Sequence, residues 1–160
     1  MADLLELSSG LPEVELAPGE VLVEDGTRTG SIWVLVSGRL DVRKDGVLIS
    51  TIERPGSGFG EIAVLRGSGH TATVVAAEPC RLRYAADGQA FLHGQPEVLF
   101  VLARGLAERL DLITSYLADL RNQYAGAAGL EMVSEVLGKL QGAPPMTVQP
   151  GSARDPDPDD

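Results

Sequence analysis

Hydrophobic and polar residues change their period once along this chain. Up to about residue 85 the apolar residues come in short runs separated by turn signals: Val14-Glu15-Leu16, Val21-Leu22-Val23 and Val47 to Ile52, with Ala17-Pro18-Gly19-Glu20, Glu24-Asp25-Gly26 and Lys44-Asp45-Gly46 between and beside them. Ser31 to Val36 is almost wholly apolar and predicts a strand buried on both faces. Arg39 to Arg43 and Cys80 to Tyr84 alternate, as half-exposed strands do. Short strands at roughly eight-residue spacing, punctuated by Gly and Pro, predict a mainly β domain of sandwich or jelly-roll type. Residues 3–9 read as a short amphipathic helix ahead of it, ended by Ser8-Ser9-Gly10-Leu11-Pro12.

From Asp87 onward the period is helical. Asp87 is placed to cap a short helix that breaks at Gly94. Pro96 then opens a long helix to about Tyr124, with Glu97 in its first turn. Leu99, Ala103, Leu106, Leu110, Ile113, Leu117, Leu120 and Tyr124 alternate in spacings of four and three, a coiled-coil seam. Val98, Val101, Leu102 and Leu112 form a second apolar set suited to packing on the β domain. A helix with two apolar faces touches two surfaces, so a parallel two-fold homodimer through residues 97–124 is expected; burial of both faces in one domain is the alternative. Gly105 inside this helix costs roughly 1 kcal/mol against Ala, which packing must offset.

The expected organisation is therefore an N-terminal helix at 1–12, a β-barrel at 13–94, a long helix at 95–125, a hinge and short helix at 126–142, and a disordered acidic tail at 143–160. Ala125 to Gly129 reads as the joint and 130–140 as the short amphipathic helix. The proline- and aspartate-rich tail holds too little apolar area to order itself.

One stretch carries chemistry. Pro55-Gly56-Ser57-Gly58-Phe59-Gly60 leaves an apolar strand and feeds a single apolar turn, Glu61 to Leu65; a second glycine loop leads to Thr71-Ala72-Thr73-Val74. The residues alone leave two readings: a plain turn, because Gly supplies positive φ cheaply, or an anion cradle of backbone amides at a helix start. Phe59-Gly60-Glu61-Ile62-Ala63 followed by Ala72-Thr73-Val74 resembles the phosphate-binding cassette of the cyclic nucleotide-binding domain family, and the likeness extends over about residues 13–125. His70 stands where that family carries an arginine, and Gly69 where it often carries proline.

The resemblance implies a jelly-roll barrel followed by a long helix, and a cyclic nucleotide, cAMP or cGMP, as ligand. Phe59 and the backbone of Gly60, Ile62 and Ala63 would belong to the cassette, the amides meeting the cyclic phosphate and Glu61 accepting from the ribose 2′-hydroxyl. His70 would face the phosphate, Thr71 would reach the phosphate or the purine edge, and Thr114, beside Ser115, would approach the base. Histidine offers fewer donors than arginine's permanently charged fork, so a weaker phosphate grip is expected, with Arg54 or Arg66 as possible substitutes.

Composition narrows the class. The net charge is −10 over 160 residues. Residues 1–25 hold seven acids and no base, and residues 141–160 hold four acids against Arg154, so both ends repel nucleic acid and anionic membrane. No apolar run approaches the roughly 20 residues of a membrane helix. No basic-then-apolar leader opens the chain, and the single Cys80 reads as a small buried thiol; a cytoplasmic setting is expected. His70 and His93 are the two histidines, too few for the His-rich metal cluster of a cupin enzyme, and no Walker loop or hydrolase elbow occurs.

The function expected is a non-enzymatic, metal-free, stand-alone sensor that acts in trans on an unidentified protein partner. The alternative is a degenerate dimeric interaction module that needs no ligand.

Overall fold

The computed structural model describes residues 3–124 and 131–140. The chain divides into two compact units, residues 1–107 and residues 108–160. The first holds a short helix α1 (Leu4–Leu7), strands β1 (Glu13–Leu16), β2 (Val21–Val23), β3 (Ile32–Ser37), β4 (Leu40–Lys44), β5 (Val47–Ile52) and β6 (Gly58–Phe59), helix α2 (Glu61–Arg66), strands β7 (Thr73–Ala76) and β8 (Cys80–Ala85), and helix α3 (Gly88–Gly94). Helix α4 (Pro96–Gln123) begins in the first unit and ends in the second, which also holds α5 (Glu131–Leu140). The expected joint at 125–129 and the tail from 143 lie outside the described residues.

The strands form two four-stranded sheets, ordered β1-β8-β3-β6 and β2-β7-β4-β5, with every pair antiparallel. This is the β-barrel-like architecture with C-terminal helices that the strand spacing predicts. Local chemistry explains the elements. Asp45 and Gly46 both take positive φ, 50° and 77°, and close a two-residue hairpin in which Lys44 faces Val47. Asp87 accepts from the amide of Ala90 at 3.0 Å and so caps α3.

The predicted two-faced burial of β3 is observed: Ile32, Trp33, Val34 and Leu35 are each at most 5% exposed. They divide between two clusters. Ile32 and Val34 pack with Leu4, Val64, Phe91, Leu92, Val98 and Leu102 under the helices. Trp33 and Leu35 pack with Leu40, Phe59, Val74, Cys80 and Leu82 between the sheets. Each fully buried aliphatic side chain contributes roughly 1.5–3 kcal/mol to holding these layers together.

Two local expectations need correcting. Gly58-Phe59, read as part of a loop, is the edge strand β6, with Phe59 opposite Trp33 and Gly58 opposite Val34. A Cβ on Gly58 would stand 2.7 Å from Leu4 Cδ2 and 2.8 Å from Leu102 Cδ2, so its bareness is set by packing from two helices, which no local pattern encodes. Of the second apolar set on α4, Val98 and Leu102 are buried, but Leu112 is 70% exposed. It belongs to the second unit, ten residues beyond Leu102 in the sequence.

Candidate functional site

The site grows out of β6. After Phe59 the chain reverses at Gly60, whose φ of 87° is the left-handed conformation that side chains resist. A Cβ there would also meet the Trp33 ring at 3.1 Å. Gly60 is the N-cap of α2, and no side chain caps that turn. A helix start that no side chain caps is a place where backbone amides can attract an anion. Gly67, also left-handed, closes the helix after six residues.

Glu61 opens α2 and is 1% exposed, so its carboxylate is turned into the protein and away from bulk solvent. Ala63 and Val64 are buried on the same helix, while Ile62 is half-buried. Carboxylates are seldom this fully buried, and ionisable residues held inside a protein are candidates for function.

His70 is also buried, at 6% exposure. Its Nε2 lies 2.7 Å from Thr29 Oγ1, and its ring rests against Trp33 with centroids 5.7 Å apart. The Trp33 indole in turn stacks on Phe59 at 5.8 Å and Tyr84 at 5.6 Å. The His70 amide donates to the Thr27 carbonyl at 2.8 Å, and the Gly26 amide donates to the His70 carbonyl at 2.7 Å. Burial pushes the His70 pKa below the usual 6.5, so the ring is neutral at neutral pH.

The structure therefore joins Phe59, Gly60 and His70 around the Trp33 ring, with Glu61 and Ala63 buried on the helix that Gly60 caps. Phe59 does so as a core aromatic, 7% exposed. Thr71 is exposed, and its carbonyl accepts from Lys44 Nζ at 2.9 Å. Arg54 and Arg66 are exposed. Thr114 is half-buried on α4 in the second unit. Thr29 escaped the sequence reading altogether, since a threonine between Arg28 and Gly30 carries no local signal of a partner 41 residues away. Among the described residues, no group of three His, Cys, Asp or Glu is placed to hold a metal ion. A cleft of about 250 Å³ lies between Arg28 and Gly30 and the residues Ala63, Val64, Gly67, Ser68 and Asp87; neither Glu61 nor His70 lines it. Cys80 is 2% exposed, its thiol lies within hydrogen-bond reach of the carbonyls of Arg39 and Glu78, and burial raises its pKa, as befits a structural thiol.

The sequence pattern of the cyclic nucleotide-binding domain family matches residues 13–94, from β1 through α3. The chain belongs to that family. A cyclic nucleotide-binding domain is a regulatory module. Over 72 residues, 45% of this chain, it is 36% identical to a cAMP-dependent protein kinase regulatory subunit from Yarrowia lipolytica. Over 88 residues, 53% of the chain, it is 39% identical to the acetyltransferase Pat of Mycolicibacterium smegmatis. The matched regions span 19% and 26% of those relatives' lengths.

Solved structures share the fold. A structure described as Sp-2Cl-cAMPS bound to PKAR CBD2 superimposes with a TM-score of 0.59 at 22% identity, covering 72% of this chain and 80% of that one. A transcriptional regulator from Thermotoga maritima superimposes with a TM-score of 0.61 at 17% identity, covering 76% and 99%. Among the described residues, no helix is long and apolar enough to cross a membrane.

Proposed function

We propose that this cyclic nucleotide-binding domain is a non-enzymatic sensor that takes cAMP or cGMP into the barrel beside α2 and regulates a protein partner in trans. The observation that carries this reading is Glu61, a carboxylate held at 1% exposure in the first turn of α2, a turn that no side chain caps. A cyclic nucleotide matches both halves of that feature. Its ribose 2′-hydroxyl is a donor for Glu61, and its cyclic phosphate is an acceptor for the amides of Gly60, Ile62 and Ala63. The names of the relatives support the ligand class: one is a cAMP-dependent kinase regulatory subunit, and one superimposable structure holds a cAMP analogue.

His70 takes the place of the family's arginine in this reading. A neutral imidazole supplies at most one N–H to a phosphate, where arginine supplies a charged pair. Losing a charged hydrogen bond of about 1.5–3 kcal/mol weakens binding roughly ten- to a hundredfold. Protonation restores a cation opposite the phosphate, so the complex tightens as the solution is acidified. Residues 97–124 form the dimer seam through which the bound state is passed on, with Thr71 and Thr114 as the hydroxyls nearest in kind to a purine edge.

A second reading rests on the contacts of His70, which is engaged by Thr29 and Trp33. On that reading the domain is a dimeric interaction module that needs no nucleotide. Calorimetry with cAMP and cGMP near pH 6 and pH 8, on the native chain and on His70→Arg, separates the two. Binding that strengthens at the lower pH and in His70→Arg supports the sensor. The absence of heat from both proteins with both nucleotides leaves only the interaction module.

A further inference from the structure

We propose that Thr29 is the positioning residue for His70: its hydroxyl holds Nε2, so the ring keeps one orientation in both protonation states and offers Nδ1–H to the ligand. The inference rests on the nucleotide reading for its consequence, although the contact itself does not. His70 is held by the segment from Gly26 to Thr29 and by Trp33. Its main chain exchanges hydrogen bonds with Gly26 and Thr27, at 2.7 and 2.8 Å, and its ring meets Thr29 Oγ1 at 2.7 Å. The amide of Ser31 donates to the same Thr29 oxygen at 3.2 Å, which fixes the hydroxyl from behind. Trp33 covers the ring at a centroid separation of 5.7 Å. The ring is therefore located by Thr29 and Trp33, while Gly26 and Thr27 hold its main chain.

A hydroxyl suits this task because it both donates and accepts. Facing a neutral ring, Thr29 O–H donates to Nε2, which leaves the proton on Nδ1. Facing a protonated ring, Nε2–H donates to a lone pair of Oγ1. The contact survives the gain of a proton, and Nε2 keeps a partner in either state. An aliphatic residue at 29 would strip Nε2 of its partner in both. The ionisable groups on the neighbouring segments include Glu24, Arg28, Glu61 and Arg66 on α2, Tyr84 on β8, and the Asp25–Lys44 pair beside Thr71. None of them contributes to the downward shift of the His70 pKa, which comes from burial. Thr29 is thus the polar partner that governs which nitrogen carries the proton.

Because the chain has only two histidines, nitrogen-detected NMR of the full chain resolves both, with His93→Gln as the assignment control. In the free native protein, neutral His70 is expected to carry its proton on Nδ1; a proton found on Nε2 would overturn the assignment without recourse to any variant. Thr29→Val is expected to mix the tautomers, lower the His70 pKa further, and weaken cAMP and cGMP by about two- to tenfold, more at pH 6 than at pH 8. Thr29→Ser is expected to restore both readouts. A Thr29→Val protein with unchanged tautomer and titration, or a folded Thr29→Ser that rescues neither, refutes the positioning role. If the native chain binds neither nucleotide at either pH, the sensor reading fails while the tautomer measurement still judges Thr29.

Discussion

A Cβ on Gly60 would stand 2.6 Å from the carbonyl oxygen of Ser31, well inside the closest approach real side chains tolerate. Two independent demands meet at that residue, since its φ of 87° is also unfavourable to any side chain. Gly60→Ala is expected to cost at least about 2 kcal/mol of stability, from left-handed strain plus the displaced backbone of Ser31, just ahead of β3. Because Gly60 starts α2, the same change should abolish nucleotide binding at ligand concentrations that saturate the native chain. Urea unfolding together with calorimetry checks both, and an unchanged unfolding midpoint would contradict the tight approach.

Glu61 offers a test by chemical subtraction. If its carboxylate accepts from the ribose 2′-hydroxyl, Glu61→Gln should weaken cAMP roughly ten- to a hundredfold, the size of one hydrogen bond to a charged acceptor. The 2′-deoxy analogue should lose a comparable factor on the native chain and almost nothing more on Glu61→Gln. Additive losses would mean that the two groups do not meet.

The His70 shift makes a prediction about stability in the absence of ligand. A folded-state pKa below 6.5 means the unfolded chain takes up its proton first as pH falls. The stability associated with the neutral ring is present in full above 6.5 and is lost as pH falls through the folded-state pKa. Thermal midpoints measured from pH 8 down to pH 5 should fall more steeply for the native chain than for His70→Gln. Glu13 has its pKa lowered by the Arg81 hydrogen bond, so its contribution is lost below 4.5, outside this window. Parallel slopes for the two proteins would show that His70 is not the titrating group.

Helix α4 presents Leu110, Ile113 and Tyr124 at 50%, 54% and 57% exposure along the heptad seam. Exposed apolar residues at that spacing suit a partner helix. Ile113→Asp is expected to shift a dimer toward monomer in sedimentation equilibrium while leaving the far-ultraviolet helical signal largely intact. A native chain that sediments as a monomer at tens of micromolar would remove the dimer from the account.

Some of these features are determined by the sequence itself, because their causes are local. The left-handed turn at Asp45-Gly46, the Asp87 cap, the alternation of Cys80 to Tyr84 and the heptad spacing on α4 follow from the conformational preferences of neighbouring residues. The glycine loop, apolar turn and Ala72-Thr73-Val74 run could be read as a cassette because its residues are contiguous or nearly so.

Only the tertiary structure decided the rest. Nothing near Gly58 announces that Leu4 and Leu102 crowd it, and nothing near Thr29 announces His70. Whether a histidine in a glycine loop faces water or a tryptophan depends on where β3 passes, and that is settled by packing between segments far apart in the chain. Periodicity reports which face of an element is buried; it carries no information about which distant residue will lie against it.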